Sequence, residues 1–330
     1  APITSSAAEL YSALAVGDGK NQEVKLKNKK VVTVTQGNYR SLIASSDNAT
    51  DRKKIFEAVF RTFDEHKTTY ATIYNNVLQT NKATSKARNY DSVLESYLYN
   101  DNIPTKVFTN LIEVAGKYNK SLKKYIRLRK KYLGLKQYHT YDRFLELAHS
   151  NKEYTYEEAK ELFFNSISQF PQDFQDKAHE VLKDGFVDVM EKVGKRTGAY
   201  SSSVANLHPF ILLNFDNTLD SVFTVAHEAG HSIHSMYATQ TQPTMLQDYT
   251  IFVAEIASTF NEHTLLDYFL SLPDATKEEK IMVIQKAIDE IMGTFYRQTL
   301  FAEYEYLANN EVAKGNPINH QVLSQIMIDL

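Results

Sequence analysis

Two histidines four residues apart, with a glutamate directly after the first, are the residues of this sequence best suited to chemistry. They are His227, Glu228 and His231, in the arrangement HExxH. On an α-helix, residues four apart lie about 40° from each other around the axis and roughly 6 Å apart along it, so both imidazoles can reach one metal ion. Glu228 is placed to reach a water on that ion, as a general base would. This pattern is typical of a zinc-dependent hydrolase.

The same pattern also occurs by chance in helices whose His and Glu side chains form a solvated face. Here the surrounding residues are apolar, namely Val222, Phe223, Val225, Ala226, Ile233 and Met236. The polar side chains are therefore predicted to be buried. Buried polar groups must be hydrogen-bonded or ligated, and a metal ion meets that requirement.

A tetrahedral zinc site needs a third protein ligand and leaves its fourth position to water. His234 lies on the same face but about 10 Å along the axis from His227, which is too far in an unbroken helix. The continuation HxxGxxH of the metzincins is absent. A second predicted helix, 248–270, offers Glu255 and Glu262, which are seven residues apart and share a face. From spacing alone, either carboxylate could complete the site.

Several further segments extend the pattern. They are HEAGHSIH at 227–234, FVAEIASTFNEH at 252–263, GAYS at 198–201, HPFILLNF at 208–215 and FYRQTLFAEYE at 295–305. Together they resemble the M3 family of zinc metallopeptidases, and within it the oligoendopeptidase F branch, from about Thr35 to the end of the chain. The resemblance implies a mainly α, multi-helix, zincin-like (gluzincin) fold with a small β element beside the metal helix.

The resemblance also implies the roles of individual residues. One zinc ion would be held by His227, His231 and Glu255, with Glu228 as the general base. The implied function is a zinc-dependent endopeptidase acting on short peptides, because in this family a helical shell encloses a channel that excludes folded proteins.

Five other polar residues are candidates for supporting roles. Glu262 and Asp220 could each hold a ligand imidazole by its second nitrogen, or could be charges on a helix surface. His234 is expected to pack beside the site rather than to bind metal. His208 and Tyr200 are candidates for contact with substrate, although a histidine before proline is usually a loop residue.

The run from Pro209 to Phe215 is short, apolar and bounded by turn residues, which predicts a β-strand. An edge strand beside the metal helix could pair with an extended substrate backbone. A plain buried strand is the equal alternative.

Composition narrows the classes of partner. The net charge of −3 argues against a nucleic-acid partner. The sequence contains no apolar run of about 18 residues, so no membrane span is predicted. The absence of cysteine is compatible with the cytoplasm, which is the expected location, and no signal peptide is visible. Nothing in the sequence specifies an oligomeric state.

Three consecutive regions are predicted: 1–45 with a β-hairpin between Glu23 and Thr35, a helical region 46–195, and the zinc-binding catalytic region 196–330. Besides the two metal helices, the periodicity predicts helices at 51–79, 104–132, 156–169, 173–193, 277–309 and 319–330.

Members of the family that this chain resembles are considerably longer, and their C-terminal segment carries histidine and tyrosine residues that stabilise the oxyanion. We therefore expect a fragment that lacks N- and C-terminal portions and has weak or absent activity alone, since loss of one oxyanion donor costs on the order of a hundredfold in rate. Two alternatives stay open: a non-catalytic helical protein that keeps zinc for stability, and another zincin hydrolase such as a carboxypeptidase or aminopeptidase. The open fourth site and Glu228 argue against the first.

Overall fold

The computed structural model describes residues 2–148, 152–192, 195, 198–204 and 207–330, and most of them are helical. The α-helices are α1 Pro2–Ser12, α2 Tyr39–Ala44, α3 Ala49–Glu65, α4 Lys67–Ala87, α5 Val93–Leu98, α6 Thr105–Lys117, α7 Lys120–Tyr132, α8 Tyr156–Ser166, α9 Gln172–Val181, α10 Leu219–Thr241, α11 Ile251–Ser271, α12 Lys277–Glu290, α13 Arg297–Lys314 and α14 His320–Asp329. The β-strands are β1 Gln22–Lys25, β2 Val31–Val34, β3 Val187–Met190, β4 Tyr200–Ser202 and β5 Phe210–Phe215. Single 3₁₀ turns occupy Thr140–Phe144 and Thr244–Leu246, and π-helical segments occupy Ala13–Gly17 and Ile291–Tyr296. The expected mainly α fold with a small β element is confirmed.

The predicted N-terminal hairpin is confirmed. β1 and β2 pair antiparallel, with Val24 opposite Val32. Lys29 adopts a positive φ of 70° in the connecting turn. The buried side chains of Val24 and Val34 join the core formed with α2 and α3.

The helix predicted at 51–79 is wrong as a single element, because α3 and α4 meet at His66. Ile55 of α3 packs against the hairpin, whereas Leu78 of α4 belongs to a different core shared with α13 and α14. Two amphipathic helices that face different cores can follow each other without any loss of periodicity in the sequence, which conceals the break.

The helix predicted at 104–132 is likewise two helices, α6 and α7. The backbone of Tyr118 leaves the helical region, at φ −103° and ψ 34°. Its carbonyl accepts a hydrogen bond of 2.8 Å from the hydroxyl of Tyr296. This partner lies 178 residues away in the sequence, so local periodicity carries no sign of it.

The helix predicted at 156–169 is confirmed as α8, but the one at 173–193 is only half correct. α9 ends at Val181, and strand β3 follows after a turn in which Gly185 has a φ of +86°. The side chains of Val187 and Val189 pack against the core, whereas those of Asp188 and Met190 are exposed. This alternation of every second side chain is typical of a β-strand.

The remaining predicted helices are present with small changes. Helix α11 confirms the element predicted at 248–270, and α14 confirms the one at 319–330, with the Asn319 side chain accepting from the Val322 amide. The element predicted at 277–309 is α12 followed by α13, with the π-helical segment between them.

The chain divides into two compact units, Ala1–Leu147 with Asp289–Leu330, and Ala148–Ile288. The first unit has separate cores around the hairpin and around α4, α13 and α14. The core of the second unit surrounds α10. The boundaries expected from the sequence at 45 and 195 stay a prediction.

A three-stranded sheet in the second unit has the order β3-β5-β4. β5 runs parallel to β3 and antiparallel to β4, and its side chains Ile211, Leu213 and Phe215 are buried. This face of the sheet belongs to the core that surrounds α10.

A short polar turn leads from β5 into α10. Thr218 is the N-cap, and its hydroxyl accepts a hydrogen bond of 3.3 Å from the amide of Ser221. The Asp216 carboxylate accepts from the hydroxyls of both residues at 2.6 Å. These bonds fix the direction in which α10 leaves the sheet.

No helix within the described ranges combines the length and the apolar character needed to cross a bilayer.

Candidate metal centre

Helices α10 and α11 bring two imidazoles and one carboxylate together. The Nε2 atoms of His227 and His231 are 3.2 Å apart. Glu255 Oε2 lies 3.4 Å from each of these nitrogens. The three side chains expected to ligate metal therefore form a nearly equilateral triangle of donor atoms.

The size of this triangle fits a small divalent cation. At zinc–ligand bonds of about 2.0–2.1 Å, the corners of a tetrahedron are about 3.3–3.4 Å apart. The three measured edges match that spacing, and two nitrogens with one carboxylate oxygen are donors that zinc accepts.

Glu262 contacts the opposite side of the first imidazole. Its Oε1 is in close contact with Nδ1 of His227. If Nδ1 carries the hydrogen that Glu262 accepts, the lone pair of Nε2 faces Glu255 and His231. Burial disfavours the charged ring, but the hydrogen bond and negative charge of Glu262 outweigh it and raise the pKa of His227.

The pKa of the second imidazole, His231, is shifted in the opposite direction. Burial, followed by the neighbouring charge of His227, lowers the pKa of His231. A hydrogen bond to the backbone of Ala254, on α11, opposes that change. A neutral ring is the form that ligates metal.

Glu228 lies beside the triangle without joining it. Only 5% of the residue is exposed, and its Oε2 has no hydrogen-bond partner among the described residues. The backbone of Ser201, on β4, forms a hydrogen bond with the carboxylate. Burial is the main cause that raises the pKa of Glu228. A buried carboxylate with one free oxygen is suited to exchange a proton with a water molecule.

Gly230, inside the HExxH sequence, allows the two helices to approach closely. A Cβ at this position would lie 2.7 Å from the Ala257 carbonyl oxygen and 2.8 Å from the Ser258 Cα. Across the same seam, the Asn261 amide donates a 3.2 Å hydrogen bond to the carbonyl of Ala226. The distance between Glu255 and the imidazoles therefore depends on the absence of a side chain at position 230.

Two serine contacts near the site were missed by sequence reasoning. Ser258 Oγ lies 2.8 Å from Glu255 Oε2. Ser232 Oγ lies 2.8 Å from Ser201 Oγ and joins α10 to β4. The first could have been found, since residues three apart on a helix are neighbours. The second pairs residues 31 apart, for which the sequence carries no signal.

The structure contradicts the hypothesis that Asp220 holds a ligand imidazole. Asp220 is exposed at the start of α10, and its carboxylate accepts a 2.6 Å hydrogen bond from Lys286. The alternative, a charge on the helix surface, describes it.

The other candidate residues lie apart from the triangle of donor atoms. The His234 ring stacks on Tyr249, and burial lowers its pKa. It lines an apolar cavity of about 340 Å³ between α10 and α11. His208 stacks on Phe186 before β5, and Tyr200 is exposed on β4.

The strand at 210–215 is present, but its suggested role as a substrate-pairing edge is wrong. β5 is the central strand and is paired on both sides. β3 and β4 are the edge strands among the described residues, and Ser201 of β4 contacts both Glu228 and Ser232 of α10. Among the described residues, β4 is therefore the edge strand that lies next to the metal helix.

Comparison with known proteins shows the family to which the chain belongs. The model of Peptidase family M3 matches residues 42–330. The chain is 34% identical over 329 residues to "Oligopeptidase PepF" of Bacillus subtilis (strain 168), which covers 99% of this chain and 49% of that protein. A crystal structure of a protein from Chlamydophila abortus superposes with a TM-score of 0.86 at 34% identity, over 98% of this chain and 54% of the other. The oligoendopeptidase-F of Enterococcus faecium superposes with a TM-score of 0.72 at 26% identity, over 98% and 51%. The chain spans about half the length of the curated relatives that it matches.

Proposed function

The chain belongs to peptidase family M3, and from that premise we propose that it carries the zinc-binding and proton-transferring centre of an endopeptidase that hydrolyses short peptides. The observation that carries the proposal is the triangle formed by His227, His231 and Glu255, with edges of 3.2–3.4 Å. Beside it lies the buried carboxylate of Glu228, whose Oε2 has no hydrogen-bond partner among the described residues. One zinc ion is the cofactor that these donors favour.

The residues divide the chemical work among them. When bound, a divalent cation at this position polarises a peptide carbonyl and acidifies a water. Glu228 Oε2 then takes a proton from the attacking water and later delivers it to the leaving amine. Because burial raises the pKa of Glu228, the protonated form needed for the second step is less costly than it would be for an exposed carboxylate.

A neighbouring carboxylate and burial favour metal binding by the two imidazoles. Glu262 holds Nδ1 of His227, which directs Nε2 toward the shared position. Burial keeps His231 in the neutral form that can ligate. We propose these as the functional roles of the Glu262 contact and of the burial of His231.

A peptide substrate fits the strand arrangement beside the site. β4 offers an edge on which an extended backbone could add as a further strand. Tyr200, exposed on that strand, is the side chain proposed to contact substrate there. A relative carries the name oligopeptidase, which supports short peptides as the substrate class.

The proposal is tested by metal analysis combined with hydrolysis of an internally quenched peptide. We expect one zinc per chain, and hydrolysis that is weak in a chain spanning about half the length of its relatives but that a chelator removes and added zinc restores. Glu228→Gln should keep zinc while hydrolysis falls by about 10²–10⁴-fold, the usual share of a general acid–base group. Glu161→Gln makes the same substitution at an exposed position on α8 and should change neither quantity.

Each alternative predicts a different result. Bound zinc without chelator-sensitive hydrolysis would indicate a non-catalytic helical protein that keeps zinc for stability. Release of single residues from one end of the peptide would indicate an exopeptidase. Absence of zinc binding would overturn the proposal.

A further inference from the structure

The carboxylate that completes the metal site is the least enclosed of the three ligands. The side chain of Glu255 is 64% exposed, whereas Ser258, one helical turn later, is 0% exposed. Ser258 Oγ lies 2.8 Å from Glu255 Oε2, the same oxygen that faces both imidazoles. A buried hydroxyl therefore contacts an exposed ligand at its metal-facing atom.

The hydroxyl of Ser258 donates its hydrogen to the carboxylate of Glu255 and not to the carbonyl of the same residue. Ser258 has one hydroxyl hydrogen and two acceptors within reach, the Glu255 carbonyl at 3.1 Å and the Glu255 carboxylate at 2.8 Å. The carbonyl already accepts the helical amide of Thr259 and also its hydroxyl, at 2.6 Å. A carbonyl oxygen has two lone pairs, so both are used. The hydrogen of Ser258 is therefore available to the charged carboxylate, which forms the stronger bond.

The position of Ser258 is itself fixed by the opposite helix. Its Cα would lie only 2.8 Å from a Cβ at position 230, so the backbone of α11 rests against Gly230. Gly230 precedes the ligand His231 directly in the sequence. The hydroxyl is thus held at a constant place relative to the imidazoles.

We propose that Ser258 is a positioning residue, which holds the Glu255 carboxylate in the orientation required of a third metal ligand. This inference rests on the proposed function, since it assumes that the triangle binds zinc. Without the hydroxyl, the exposed carboxylate samples other rotamers, and ordering it on metal binding costs free energy. Partners of this kind typically contribute 10- to 100-fold to metal affinity.

The test compares zinc affinities by competition with a chromophoric chelator. Ser258→Ala should bind zinc about 10- to 100-fold more weakly than the unmodified chain. Ser258→Thr keeps the hydroxyl and should retain most of the affinity. Ser85→Ala removes another buried serine hydroxyl, which pairs with Ser96 in the first unit, and should leave the affinity unchanged.

A stability measurement separates positioning from general damage. Ser258→Thr adds a methyl group at a position that is 0% exposed, so this variant should unfold at lower urea than Ser258→Ala when no metal is present. Stability and affinity should therefore rank the two variants in opposite orders. The visible spectrum of bound Co²⁺ should change in Ser258→Ala and stay close to the unmodified spectrum in Ser258→Thr.

The outcomes distinguish the two proposals. If the unmodified chain binds zinc and Ser258→Ala binds it equally well, the role of Ser258 is refuted while the metal site stands. Affinity that simply follows stability across the variants would also refute it. If the unmodified chain binds no zinc, the proposed function itself fails.

Discussion

Helices α10 and α11 supply the three candidate ligands from very different surroundings. α10 is enclosed by the sheet, by α8 and α9, and by α11, and its Ile233 is 2% exposed. α11 is buried along one strip, whereas Ile256 is 62% exposed and Phe252 and Phe260 are also exposed. The large apolar side chains of α11 thus face the core only in its C-terminal part, at Leu265 and Phe269.

The contrast shows that the two halves of the site are held by different means. The imidazoles are fixed because α10 is largely buried between Ser221 and Ser235. The carboxylate is fixed by a narrow strip of α11, formed by Ser258, Asn261 and Leu265, which meets α10 at Gly230. Substitutions of core-facing residues on α10 should therefore act through the core, and substitutions where α10 and α11 touch should act through the seam.

The largest expected effect contrasts two isoleucines, one on each helix. Ile233→Ala removes a side chain from the core around α10 and should lower the free energy of unfolding by about 2–5 kcal/mol. Ile256→Ala, the same change next to Glu255, should stay within about 0.5 kcal/mol, because its side chain is already in contact with solvent. Urea denaturation of both variants measures the difference. Equal losses would show that α11 is as enclosed as α10, and the contrast between the helices would be broken.

A smaller effect is expected where the helices touch. Alanine usually stabilises a helix relative to glycine by roughly 0.5–1 kcal/mol. At Gly230 the added methyl meets the backbone of α11, so Gly230→Ala should instead destabilise the chain by about 1–3 kcal/mol and weaken zinc binding. Gly116→Ala on α6 meets no atom within 4 Å and should show the usual gain.

Gly116→Ala is the control for Gly230→Ala, because both substitutions add the same methyl group within a helix. If Gly230→Ala stabilises the chain as Gly116→Ala is expected to, the close approach of α10 and α11 does not exist in solution. If Gly230→Ala destabilises the chain but leaves zinc affinity intact, the seam does not control the position of Glu255.

The candidate site could be read from the sequence up to the point where a second helix enters. The spacing of His227, Glu228 and His231 is local, and one helix is enough to bring the imidazoles together. Spacing also placed Glu255 and Glu262 on one face, but it could not assign their roles. The assignment depends on how far α11 is shifted along α10, which puts one carboxylate against Nε2 and the other against Nδ1.

The fold could likewise be predicted only where local contacts determine it. Hydrophobic period identified the hairpin and most helices, because each buries one face locally. It failed at His66 and Tyr118, where the chain changes the core or the partner that it faces, and after Val181, where β3 gains its hydrogen bonds from the distant strand β5. These are long-range contacts, and the periodicity of one segment does not report the segment that it will meet.

The smallest expected effect concerns a polar contact that holds α10 on the side of α9. The Asp173 carboxylate accepts from Lys177 on its own helix and from the hydroxyl of Tyr237 on α10, and these two bonds lower the pKa of Asp173. A carboxylate whose pKa is lower in the folded state contributes stability above its unfolded pKa of about 3.9 and loses it as the pH falls through the folded value.

Asp173→Asn should therefore lower the urea midpoint slightly at pH 7, and the difference from the unmodified chain should shrink as the pH falls below about 4. Asp176→Asn changes a carboxylate of α9 that accepts from Gln172 on the same helix, so it should not reproduce this pH-dependent difference. A difference for Asp173→Asn that persisted unchanged to pH 2 would mean that the ionised carboxylate does not stabilise the fold. The support of α10 on this side would then come from apolar packing alone.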